Sequence, residues 1–316
     1  MGDAEQSVTY ADRSGDAGQA MINRTTHADA LHQAGRRAEA EARFREAEQM
    51  QAERQPAYPL LYSLPGFRYC DLLLTAAERA AWQRVLELRA SVLECASPLA
   101  LSGAPVPPDA ASTSGAESGR GLPHSKTLRD VRERAAQTLK WVTDAKLGLL
   151  TIALDHLTLG RAALYAAILD SPDSALRIPH SELASAVSGL RRAGTQDHLP
   201  RALLTRAWQR SLTGLRTGPE SAQSDLDEAW EIAARGPMPL FLADIHLTRF
   251  RLFGRQKAKG ERQKEEDGSQ KPEVGSQEYP WESPQHDLAE ARRLILKHSY
   301  LRRLPELKDA EAALKS

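Results

Sequence analysis

The residues of this sequence that could do chemistry are scattered histidines, two cysteines and one Lys-Thr pair, and their spacing limits what they can do. Lys126-Thr127 ends the stretch GRGLPHSKT, the nearest approach to a phosphate-binding loop. Ser125 stands where such a loop needs glycine, and neither a strand nor a helix flanks it, so the backbone cannot wrap a phosphate. Asp155-His156 and Asp244-x-His246 recur along the chain. Without an HExxH motif or a Cys/His cluster beside them, they offer no zinc site and no metal-activated water. Cys70 and Cys95 lie in helix-like stretches and read as inert buried thiols rather than a redox pair. There is no GxSxG elbow, no GxGxxG loop and no carboxylate pair with supporting context. The sequence therefore predicts no catalytic residue, no cofactor and no metal.

The elements that carry these residues are helices. Ala, Leu, Arg and Glu dominate the 316 residues while aromatics make up only 5%. That balance favours helix over strand, so the fold class expected is all-α. The 42 basic and 42 acidic residues cancel, which leaves no net field for nucleic acid or an anionic membrane. The polar, acidic start MGDAEQSVTYADRSGD is unlike a secretory signal. Asp155, His156 and Arg161 break the most apolar stretch, 147–169, which reads as a core helix rather than a span. A cytoplasmic protein is expected.

Two segments cannot build a core. Residues 98–128 form a Pro/Gly/Ser-rich linker and 255–279 a charged flexible loop, since neither carries enough apolar surface to offset chain entropy. They divide the chain into an N-terminal helical block at 1–97, central repeats at 129–254, and a last repeat helix with a C-terminal capping helix at 280–316. Between breakers such as Gly35, Pro200, Gly214 and Pro237 the spacing predicts helices of roughly 12–22 residues joined by short turns, as in antiparallel hairpins. Arginine pairs at 36–37, 191–192, 292–293 and 302–303 fall near helix ends, where cations complement the last carbonyls.

Within the helices one spacing repeats. Ala40, Phe44 and Ala47 are separated by four and then three residues, and so are Ala186, Leu190, Ala193 and Ala222, Leu226, Ala229, with a weaker copy at Pro284, Leu288 and Ala291. These offsets keep all three side chains on one helical face. The small residues let a neighbouring helix approach to about 8–10 Å and the large one fills the groove beside it. One hairpin cannot hide such a face alone, so hairpins stack. A second motif recurs as HLTLGRA, LLTRAWQ and HLTRFRL. Trp230 and Trp281 read as packing residues.

The arrangement of Leu31, Gly35, Ala40, Phe44 and Ala47 resembles the tetratricopeptide repeat, a helix–turn–helix unit of about 34 residues, with Gly35 in the turn. Longer stretches, among them RTTHADALHQAG, DHLTLGRA and DLDEAWEIAARGPM, resemble the tetratricopeptide arrays that form the C-terminal sensor part of bacterial signal-transducing NTPases. The first dozen residues resemble the tail of a preceding repeat. The resemblance departs where Phe250 replaces the small Gly160 and Ala207, and where the charged insertion lengthens the interval from Leu226 to Leu288. It implies a superhelical solenoid of antiparallel hairpins, closed by LRRLPELKDAEAALKS as a polar capping helix. It implies a non-catalytic scaffold or sensor array that binds a protein or peptide in its concave groove. The alternative it implies is the detached regulatory half of a signal-transducing NTPase or transcriptional regulator. In the family register the groove-facing positions fall on Asp29, Arg161, Trp208 and Arg251, a row suited to an acidic or C-terminal carboxylate group.

Overall fold

The computed structural model describes residues 2–95, 122–170, 180–254 and 279–315. All regular structure in them is helical: α1 (Gly2–Ser14), α2 (Ala17–Gln33), α3 (Arg37–Arg54), α4 (Ser63–Cys95), α5 (Leu122–Asp144), α6 (Leu149–Asp170), α7 (His180–Ala193), α8 (Leu199–Leu212), α9 (Ala222–Arg235), α10 (Pro239–Phe253), α11 (Pro284–Lys297) and α12 (Leu304–Lys315). Short 3₁₀ turns at Gln196–His198 and Leu301–Arg303 lead into α8 and α12. The protein is all-α, as its composition predicts.

Local chemistry sets the helix ends. Asp16 caps α2 by accepting from Gly18 N and Gln19 N, and Ser221 and Ser224 form a reciprocal capping box on α9. Gly35 ends α2 with φ +78°, and Arg36 N donates to the Leu31 carbonyl while Gly35 N donates to that of His32. That is a Schellman closure, and it places glycine where a side chain would be strained. The same pair of bonds ends α11, but there the left-handed residue is Ser299, φ +53°. No glycine marks that turn, so the sequence gives no warning of it.

Three apolar clusters fill the interior. The first joins Met21, Leu31, Ala40, Phe44 and Ala47 to Leu61, Tyr69 and Leu72, with Phe44 stacked on Tyr69 at 5.1 Å. The central one spans α4 to α10 and takes in Ala186, Leu190, Ala222, Leu226 and Ala229. The last holds Leu247, Phe250, Leu288, Ala291 and Tyr300. Ala193 departs from the pattern, because it sits at the end of α7 and is only half-buried. Close approach of α6 and α7 rests on glycine in both directions. A Cβ at Gly160 would meet Leu183 Cδ2 at 2.5 Å, and one at Gly189 would meet Ala153 Cβ at 2.8 Å.

Two expectations need correction, and a third lies outside the described residues. The linker expected at 98–128 ends earlier, since residues 122–128 already belong to α5; its positions 98–121 lie outside the described residues. The expected charged loop likewise falls outside them at 255–278. Helix α4, 33 residues long, exceeds the range drawn from breaker spacing, because neither proline nor glycine follows Gly66 within it and Ala, Leu, Glu and Arg carry the helix on. Helix α6 is the one described helix long and apolar enough to cross a membrane by length and composition alone. Its Asp155 and Arg161 are both buried against neighbouring helices.

Candidate functional site

Four helices place a polar residue directly after a small or packing residue on the same face: Glu78 after Ala77 in α4, Arg161 after Gly160 in α6, Trp208 after Ala207 in α8 and Arg251 after Phe250 in α10. Three residues before each stands a threonine. Thr75, Thr158 and Thr205 each donate to the carbonyl four residues earlier, at 2.9–3.0 Å, which satisfies the hydroxyl within its own helix. Two helical turns before the polar residue come Asp71, Leu154, Arg201 and Asp244, aligned on that face by the seven-residue offset.

These side chains meet in a buried charge cluster. Arg161 Nη2 lies 2.8 Å from Asp71 and donates to Glu78 at 3.0 Å, while its Nε reaches the Tyr165 hydroxyl at 3.2 Å. Arg201 lies 3.5 Å from both Asp71 and Asp244. The Arg251 guanidinium sits 4.7 Å over Trp82, which stacks on Trp208 with centroids 3.5 Å apart. The void left among them is about 20 Å³, enough for one water.

The C-terminal turn completes the cluster. After Ser299 reverses the chain, Arg302 donates to Asp71 and contacts the His32 ring. Arg303 bridges three carboxylates, with Nε at 2.8 Å from Asp244 and Nη1 at 3.0 Å from Glu78 and 2.7 Å from Glu306. Tyr300 donates its hydroxyl to Asp244 at 3.0 Å, and Arg251 donates to Glu306 at 3.1 Å. Outside the cluster Arg79 holds Asp309 in a two-bond fork at 2.7 and 2.9 Å.

Burial by itself would raise the carboxyl pKa values here, but the surrounding guanidinium groups outweigh it. Arg302, Arg201 and Arg161 hold Asp71 well below the usual carboxylate range, and Arg303 lowers Asp244 and Glu78. Burial and then the Arg302 charge push His32 down to about 2, so its ring is neutral. None of these shifted groups changes charge near neutral pH, so the cluster holds fixed charges and shuttles no proton. Elsewhere, burial pushes the Cys70 thiol up to about 12. Burial also pushes Asp155 up to about 7, where Thr138 donates to Oδ1 at 2.9 Å and Oδ2 has no hydrogen-bond partner. The recurring histidines pair with the next helix: His156 lies 2.6 Å from Glu182 and His246 3.0 Å from Asp287. No group of metal-ligating side chains occurs among the described residues. The side chain of Cys95 lies outside them.

Of the groove positions expected from the sequence, Arg161, Trp208 and Arg251 come together in this cluster. They are not open to solvent, being 1%, 2% and 3% exposed. The acid expected from a ligand is supplied by the chain itself, from Asp71 and Glu78 to Arg161 and from Glu306 to Arg251. Asp29 stands apart on α2, half-buried, 3.5 Å from Arg68 and accepting from Gln33. At the start of the C-terminal segment Arg302, Arg303 and Glu306 are buried, while Lys308 and Lys315 further along the helix are exposed. Nor does the pair at 302–303 serve a helix end, for its arginines bond to carboxylates on α4 and α10. Trp230 and Trp281 pack against the central apolar cluster. Sequence reasoning missed Asp71, Glu78, Arg201, Asp244, Arg302, Arg303 and Glu306. Ala77-Glu78 fits the register already drawn through Gly160-Arg161, and the seven-residue offset would have added the other helix residues.

No family model, curated protein or solved structure matches the chain.

Proposed function

We propose that this protein is a non-catalytic, cytoplasmic scaffold built as a tetratricopeptide-like solenoid, with a protein or peptide partner held in its concave groove. One observation carries the reading: α4, α6, α8 and α10 bring Glu78, Arg161, Trp208 and Arg251 to matched positions, and carboxylates of α4 and α10 already grip a short 3₁₀ turn, Leu301–Arg303, through ion pairs. A surface that holds one short segment by side-chain charge has the chemistry to hold another. The repeated small–large–small faces and the Schellman turn at Gly35 support the same architecture. Affinity capture with the full chain, repeated with Trp208→Ala and Arg251→Ala variants of unchanged helical circular dichroism, tests the reading. Loss of the captured partner in both variants supports it, and full retention overturns it.

A further inference from the structure

Residues Arg302, Arg303 and Glu306 read as a ligand that the chain supplies to itself. Resting on the scaffold reading above, we infer that the surface of α4, α6, α8 and α10 recognises a partner segment with two adjacent arginines and a glutamate three residues on. In this chain Leu301–Glu306 occupies that site in place of the partner.

The charges are arranged so that the segment can leave without stranding those of the surface. Asp71 and Glu78 keep Arg161 at 2.8 and 3.0 Å, and Asp244 keeps Arg201 at 3.5 Å. Arg251 stays over the Trp82 ring. An ion network that loses one member and strands its partner is strongly destabilised, but here each surface carboxylate keeps an arginine, and Arg251, which gives up Glu306, keeps the Trp82 ring. The outer side of the turn is open as well. It borders a cavity of about 400 Å³ lined by His32, Arg37, Arg79 and Leu301, and the Leu301 side chain is 43% exposed. The segment hangs from exposed Ser299, whose φ of +53° holds a non-glycine residue in the left-handed region.

Specificity for arginine follows from reach. Arg303 engages Asp244 on α10 through Nε and Glu78 on α4 through Nη1, so one planar group spans two helices. A lysine ammonium is a single point and cannot span both. Because the resident segment is tethered, a partner competes against an effective concentration in the millimolar range, which keeps weak or partial matches out.

The experiment uses the full chain with a protease site inserted between His298 and Ser299, cleaved after folding with both fragments retained. A fluorescent peptide of residues 299–316 is then exchanged into it and competed with unlabelled versions. Exchange that the native peptide competes, and that Arg302→Ala/Arg303→Ala and Arg302→Lys/Arg303→Lys peptides compete roughly 100-fold less well, supports the inference. Competition indifferent to the arginines overturns it. So does a fragment that never exchanges, or a loss of helical signal beyond that of the departing Leu304–Lys315 helix, since the segment is then a fixed part of the core. The scaffold reading fails separately. If the captured partner depends on Trp208 and Arg251 but the native peptide does not displace it, the arginine specificity falls and the scaffold stands. If the partner is retained by the Trp208 and Arg251 variants, the scaffold falls whatever the peptide does.

Discussion

The seam between α6 and α7 and the cluster around Arg303 are both shut off from water, but they are held by opposite means. The seam is closed by absence: Gly160 and Gly189 remove side chains so that Leu183 and Ala153 can approach. The cluster is closed by mutual neutralisation of arginines and carboxylates drawn from α4, α6, α8, α10 and the C-terminal turn. Non-directional packing tolerates small shifts, so a seam can be built from local pattern and repeated along the chain. Charge pairing does not tolerate them, because a buried ion without its partner costs several kcal/mol. The seam therefore follows from local pattern, while the cluster occurs where distant segments meet.

Substitutions can break this contrast, beginning with the largest effect. Arg303→Ala leaves Glu78, Asp244 and Glu306 facing each other beneath a turn that still seals them, and is expected to cost about 3–5 kcal/mol in urea unfolding. A cost below about 1 kcal/mol would mean that water reaches the three carboxylates while the turn stays in place.

Asp155 is a buried carboxylate with no cation paired to it among the described residues, and it reverses the pH behaviour of the cluster. Its folded pKa of about 7 lies above the ordinary 3.8, so the folded chain binds the extra proton. Stability falls as pH rises from about 4 to about 7 and levels off above that. Asp155→Asn keeps an acceptor for Thr138 and should stabilise the chain by roughly 2–4 kcal/mol at pH 8, with the difference from wild type vanishing near pH 4 in thermal unfolding. The cluster carboxylates run the other way. Asp71 and Asp244 titrate below their ordinary range, so their contribution is complete above about pH 4 and is lost as pH falls further.

In the seam, Gly189→Ala should cost about 1–3 kcal/mol by overpacking, since the new methyl would lie 2.8 Å from Ala153 Cβ, which has no rotamer to yield. Gly160→Ala should cost less, because the nearest atom is the mobile end of Leu183. Equal losses at the two sites would show that backbone separation rather than side-chain volume sets the seam. At the small end, Arg293→Ala removes an exposed pair with Glu290 one turn away and should leave the unfolding midpoint unchanged.

The seams were legible because helical periodicity is local. Ala40, Phe44 and Ala47, or Ala222, Leu226 and Ala229, announce a buried face through offsets of four and three that any helix converts into one side. The arginine pairs show where that kind of reading stops. Arg191-Arg192, Arg292-Arg293 and Arg302-Arg303 look alike in sequence, but the first pair closes α7, the second lies inside α11 and the third follows it. Arg191 and Arg292 are exposed and pair with Glu228 and Glu311 on neighbouring helices. Arg302 and Arg303 are buried, and Arg302 meets Asp71 231 residues away along the chain. The family register brought out Arg161, Trp208 and Arg251 but made them part of an open surface and set Asp29 beside them.

The amino-acid sequence by itself determined that this chain is helical, where most of its helices turn, and which of their faces are apolar. Those properties depend on propensities, caps and spacings within one or two turns. Only the tertiary structure decided which charges are buried and whom they face. That depends on the Ser299 turn bringing the last helix back across α4 and α10, and on Coulomb attraction between groups whose separation in space bears no relation to their separation in sequence.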